Sequence, residues 1–166
     1  VQAYLFGVTH MQLTDPRLPA ELAKMQAQKR VQAIVLTARG ATMARVTEAQ
    51  LQYSGLFFKG SGISVPATQG ATLSNPFMPG KLCGISIKHP RSVLYQKGVF
   101  YVAGQNKGVM LHCLLNITEH QKAFADIIFM DDQAKNVVDV DRAFVHTPGI
   151  TLHAYQFANP HEQALV

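Results

Sequence analysis

The hydrophobic pattern opens with a short apolar block, Ala3-Tyr4-Leu5-Phe6-Gly7-Val8, which reads as a strand and is broken off by Asp15-Pro16. Helix formers follow, from Leu18 to Gln28, with Pro19 near the first turn, where a missing N–H costs nothing. Leu18, Leu22 and Met25 mark one face of that helix. The β-branched run Val31-Gln32-Ala33-Ile34-Val35-Leu36 either extends the helix or begins a strand, and Gly40 ends whichever forms. From Arg45 onward the apolar period shortens towards two. Val46, Leu51, Tyr53 and Leu56-Phe57-Phe58 read as strand before the Gly60-Ser61-Gly62 turn.

Residues 60–81 break the pattern. They are rich in Gly, Ser, Thr and Pro, and Pro66, Pro76 and Pro79 argue against regular structure. A loop of that length is unusual inside a domain. Its apolar side chains (Ile63, Val65, Leu73, Phe77, Met78) make it an adhesive arm as readily as a loop folded on its own core.

The remainder reads as strands and turns. Ile85-Ser86-Ile87 and Ser92-Val93-Leu94-Tyr95 are split by His89-Pro90. Val99–Val102 and Val109–Leu115 flank Gly104-Gln105-Asn106-Lys107-Gly108, the pattern of a hairpin. Ala125–Met130 and Val137–Asp141 surround a second polar turn. In the latter, Val138, Val140 and Phe144 alternate with Asp139 and Asp141, as in an antiparallel strand with one wet face. Ile150–Phe157 closes the chain after Thr147-Pro148-Gly149. The expected fold is therefore α+β: one domain over residues 1–166, with the early helix on a mostly antiparallel sheet, a sandwich or partial barrel.

Composition narrows the class. A chain of 166 residues is long enough for one sizeable core, and its charged fraction of 15% is well below the usual quarter. Apolar content of 48% argues against disorder. No run of about twenty apolar residues exists, so no transmembrane helix is expected. The chain opens on Val1 instead of Met, as a processed or trimmed polypeptide does.

Charge changes the picture most. Between Glu48 and Glu119 lie 70 residues with no acid and six bases: Lys59, Lys81, Lys88, Arg91, Lys97 and Lys107. Residues 1–107 hold twelve Lys/Arg and three Asp/Glu, a net of +9; residues 108–166 hold three and seven, a net of −4. Basic charge without local counter-charges faces an anion or an acidic partner, and a chain with opposite halves can pair head to tail with copies of itself.

Candidate chemistry is sparse. His112, His120, His146 and His153 show no paired-ligand spacing, and Asp139 with Asp141 lacks the frame of a calcium loop. Asp131-Asp132 reads as turn chemistry. Cys83 and Cys113 close a loop of about thirty residues, which suits a disulfide and two buried thiols equally. Asn116-Ile117-Thr118 matches a glycosylation sequon. No catalytic residue, metal ligand or cofactor motif is assigned. Phe57, Phe58, Lys59, Tyr95, Lys97, Tyr101 and Lys107 interleave rings with cations, as surfaces that stack single-stranded nucleic acid do.

Two functions follow as expectations. The first is a non-catalytic structural or adaptor subunit, binding protein partners or itself through the acid-free basic surface and the apolar 60–81 segment. The second is a single-stranded nucleic-acid-binding protein that uses those seven residues.

Overall fold

The computed structural model describes residues 13, 15–119 and 123–157; the strand expected at residues 3–8 lies outside them. The chain forms two compact units, one of Val1–Phe77 with Ser92–Ala103, the other of Met78–Arg91 with Gly104–Val166. The class is α+β, as the sequence indicates, with helices and strands in both units.

In the first unit, helix α1 spans Leu18–Gln26 and buries none of its residues. Residues 31–34 stay irregular and strand β1 begins only at Val35, running Val35–Thr37. A short 3-10 turn, Ala41–Met43, leads into helix α2, Ala44–Tyr53, where strand was expected. Ala44, Ala49, Gln50 and Gln52 are comfortable in a helix, and burial of Ala44, Thr47 and Gln50 follows a helical spacing. Residues 60–81 are not structureless either. Helix α3 spans Ala67–Leu73 and starts immediately after Pro66. Prolines sit where helices begin. Ile63, Leu73 and Phe77 are buried, so much of the apolar content of this segment serves the core.

Strands β2, Leu94–Gln96, and β3, Val99–Tyr101, form the hairpin of this unit. Its turn is Lys97-Gly98, with φ of 51° and 76°, the left-handed pair that a two-residue hairpin needs. Any Cβ at Gly98 would run into Phe58, so glycine is required twice over. The sheet order is β1-β3-β2, with β1 parallel to β3. Its core gathers Ala44, Leu94, Val99 and Tyr101, with Val35, Ala41 and Leu51 packed against them.

The second unit begins with helix α4, Pro79–Cys83. Helix α5, Lys107–Ile117, occupies the segment read as the second arm of a hairpin. Seven of its eleven residues are buried, which erases the amphipathic period and leaves an apolar run of either meaning. The Asn106 side chain settles the matter by accepting from the Val109 N–H at 2.9 Å, an N-cap. Strand β4 spans Asp126–Asp131, helix α6 Ala134–Phe144 and strand β5 Thr151–Gln156. Helix α6 replaces the expected strand at 137–141. Val140 and Phe144, four apart, are buried while Val138 is exposed, so the alternation seen over five residues was a fragment of a longer helical period.

Strands β4 and β5 pair in parallel, in register from Asp126↔Thr151 to Asp131↔Gln156, with α6 as the connection. This is a βαβ unit. The sheets are thus smaller and less antiparallel than the sequence indicates: β2–β3 is antiparallel, whereas β1–β3 and β4–β5 are parallel. The described strands form one three-stranded and one two-stranded sheet.

Candidate functional site

The most deeply buried charges of the described chain meet at the carboxyl end of β4. Inward residues of that strand alternate, so Phe129 and its last residue, Asp131, both turn away from solvent. Lys107 stands at the first position of α5, fixed there by the Asn106 cap. Its Nζ donates to Asp131 Oδ2 at 2.6 Å, with side chains 10% and 5% exposed. The other carboxylate oxygen, Oδ1, accepts from the Gln133 N–H and from Asn136 Nδ2, both at 2.9 Å. Asp131 is thereby clamped between β4, α5 and the first turn of α6, and its charge faces the positive end of the α6 dipole.

Burial alone works to raise the Asp131 pKa. The hydrogen bonds from Lys107, Asn136 and the Gln133 backbone outweigh it, and the carboxyl titrates below its ordinary value. Beside it, Asp132 is exposed; its Oδ2 accepts from Gln133 Nε2 at 3.2 Å and its backbone carbonyl from Gln156 Nε2 at 3.3 Å. The Phe157 N–H donates to the Asp131 carbonyl at 2.8 Å, so the carboxyl ends of both parallel strands are tied at this point. In open α/β sheets, ligands bind outside the carboxyl ends of the strands.

Sequence reasoning named Lys107 as a surface cation and Asp131 as a turn residue, and it missed Asn136. The signal present was an acid closing the apolar run Ile127–Met130 directly ahead of a helix. The ion pair spans 24 residues, beyond local pattern.

The other singled-out residues are dispersed. Phe57 and Lys59 are exposed and Phe58 is half-buried. Tyr95 and Tyr101 lie in the core and offer no ring face to a base. Tyr95 donates to the Ile63 carbonyl at 3.0 Å and burial pushes its pKa up to about 12; Tyr101 donates to the Ala44 carbonyl at 3.3 Å and is likewise raised by burial. Lys97 donates to Glu48 at 2.7 Å. With Lys107 paired to Asp131, two of the six cations of the acid-free stretch find carboxylates that neighbours in sequence do not supply.

Cys83 on α4 and Cys113 on α5 are joined as a disulfide, with Cα atoms 5.4 Å apart. His112 packs its ring on Phe144, His146 is exposed, and His153 lies 3.6 Å from Asp126; His120 falls outside the described residues. Asp139 pairs with Lys135 at 2.6 Å, and on a helix it diverges from Asp141 by about 200°. In the sequon, the Thr118 hydroxyl is buried and donates to the Leu114 carbonyl at 2.6 Å. Among the described residues, no three His, Cys, Asp or Glu side chains gather as a metal cage. Asp132 is an exposed carboxylate of the kind that holds Mg²⁺ together with a ligand's phosphate oxygens.

Over residues 1–165 the sequence matches the family model described as "Protein of unknown function (DUF2608)". The chain belongs to that family. No curated protein and no solved structure matches this DUF2608 chain. Among its described residues, no helix is long and apolar enough to cross a membrane.

Proposed function

We propose that the protein binds a small phosphate-bearing ligand at the carboxyl end of β4, with Lys107 as its cationic anchor. The observation that carries this reading is the buried Lys107–Asp131 pair. A buried ion pair is a poor stabilising device, because desolvation of two charges consumes most of their attraction. An apolar pair of similar volume would serve stability as well. Charge retained at such a position, at the end of a parallel strand, supports a binding role. The ammonium carries three N–H donors, of which Asp131 takes one. Asp131, held by Gln133 and Asn136, acts as the positioning residue for that ammonium. Asp132 supplies the exposed carboxylate next in the chain, which can hold a divalent cation together with a ligand phosphate.

Isothermal titration with inorganic phosphate and a simple phosphomonoester, each with and without Mg²⁺, tests the reading. The expected result is binding that Mg²⁺ strengthens and that the Lys107→Met/Asp131→Leu double variant abolishes. That variant removes the charges as a pair and so retains the fold, which circular dichroism checks. Absence of binding in the parent protein, or equal binding by the folded double variant, overturns the proposal.

A further inference from the structure

Parallel sheets are ordinarily covered on both faces. The β4–β5 sheet has one face against α6, and among the described residues the side chains of its other face are exposed. On that open face Ile128 and Met130 are 68% and 67% exposed, and the register sets Met130 beside Tyr155, also exposed. Phe157 continues the same row. The β4 side of the face begins and ends in carboxylates, Asp126 and Asp132, both exposed. The result is an apolar strip with an acidic margin on the β4 side, and with His153 beside Ile128 and 3.6 Å from Asp126.

The first unit carries the opposite surface. Helix α1 exposes Leu18 and Met25, seven residues apart and on one face, and Phe57 is exposed nearby. Gln26 Nε2 donates to both the Phe57 carbonyl and Ser61 Oγ at 2.7 Å, and the Ala33 N–H donates to the Ser61 carbonyl at 2.8 Å. The 26–33 segment therefore runs along 57–61, which brings exposed Lys29 and Arg30 to the neighbourhood of exposed Lys59. These two adjoining segments thus expose apolar Met25 and Phe57 together with basic Lys29, Arg30 and Lys59.

We infer that the protein associates with itself head to tail, the Met25–Phe57 surface of one copy covering the Ile128–Met130 face of the next. Charge complementarity selects a second copy as the occupant, because each apolar surface carries the margin that the other lacks. The two surfaces differ, so the contact is heterologous and each added copy presents a fresh pair of faces.

Sedimentation velocity on the full chain over a wide concentration range, at low and at physiological salt, tests this inference. The mean mass should climb with concentration through successive multiples, and more steeply at low salt. Met130→Lys and Phe57→Glu, both at exposed positions, should each weaken association at least tenfold. Mixing the two variants is decisive. Each retains one good face, and together they should form a one-to-one dimer that neither forms alone. A parent protein that stays monomeric throughout overturns the inference. So does association that survives either substitution, or a mixture that stays monomeric.

Discussion

Of the two units of this chain, the second buries an ion pair and the first, among its described residues, does not. In the first, the Tyr95 and Tyr101 hydroxyls donate to backbone carbonyls while their rings fill the core, and the half-buried Arg39 guanidinium donates to the buried Thr47 hydroxyl and Gln50 Oε1 at 2.9 and 2.7 Å. The second buries a neutral hydroxyl in the same way, Thr118 donating to the Leu114 carbonyl, but it also buries a full positive and a full negative charge, Lys107 and Asp131. A neutral hydroxyl that keeps one hydrogen bond costs little to bury; an ion costs several kcal/mol, and only its partner offsets that. The first unit therefore reads as a scaffold whose hairpin and aromatic core specify its shape. The second holds its charges against the preference of a core for apolar groups, and such exceptions mark functional sites.

The sharpest way to break this comparison is to remove one charge. Lys107→Met leaves the Asp131 carboxylate buried without its cation and should cost about 3–5 kcal/mol in urea unfolding, whereas Lys107→Met/Asp131→Leu should cost little. Equal losses in the two variants would mean the pair is not energetically coupled. Next in size is the disulfide of the second unit. Replacing Cys83 and Cys113 by Ser removes a link across 30 residues and should lower stability by about 3–4 kcal/mol, read by the same unfolding measurement in comparison with the oxidised parent.

The smallest effect distinguishes the units by pH. The Tyr95 pKa is raised by burial to about 12 from 10.0, so its contribution is complete below pH 10 and fades as pH climbs towards 12. Tyr95→Phe should cost about 1 kcal/mol near neutrality and flatten that alkaline decline. Asp131 has the opposite sign. Its lowered pKa gives a contribution present above about pH 4, the value 3.8 of a free carboxyl, and lost as acid protonates the folded group. The Lys107→Met/Asp131→Leu variant should flatten the acid limb. Stability profiles from pH 2 to 12 would expose any crossover between the two.

Legibility in the sequence followed the length over which a pattern was allowed to speak. Helix α1 and strands β2, β4 and β5 were visible, because Pro19 near a first turn and short blocks of Val, Ile, Leu and aromatics between turn residues have one local solution each. Helices α2, α5 and α6 were read as strands. In α5 burial on nearly all sides removed the polar face that would have announced a helix; in α6 a five-residue window fitted two periods. The true hairpin turn, Lys97-Gly98, went unnoticed because lysine is uncommon at a positive φ.

By itself the sequence determined the α+β class, the two cysteines thirty residues apart and the imbalance of charge along the chain. These are properties of composition and local spacing, and folding does not alter them. Only the tertiary structure decided which charges are counterbalanced. Lys97 meets Glu48 from 49 positions away and Lys107 meets Asp131 from 24, so a stretch without acids in sequence is partly neutralised in space. It also decided that Tyr95 and Tyr101 face inward. Electrostatic partnership and burial depend on distance through the fold, and a linear pattern carries no information on that distance beyond a turn or two.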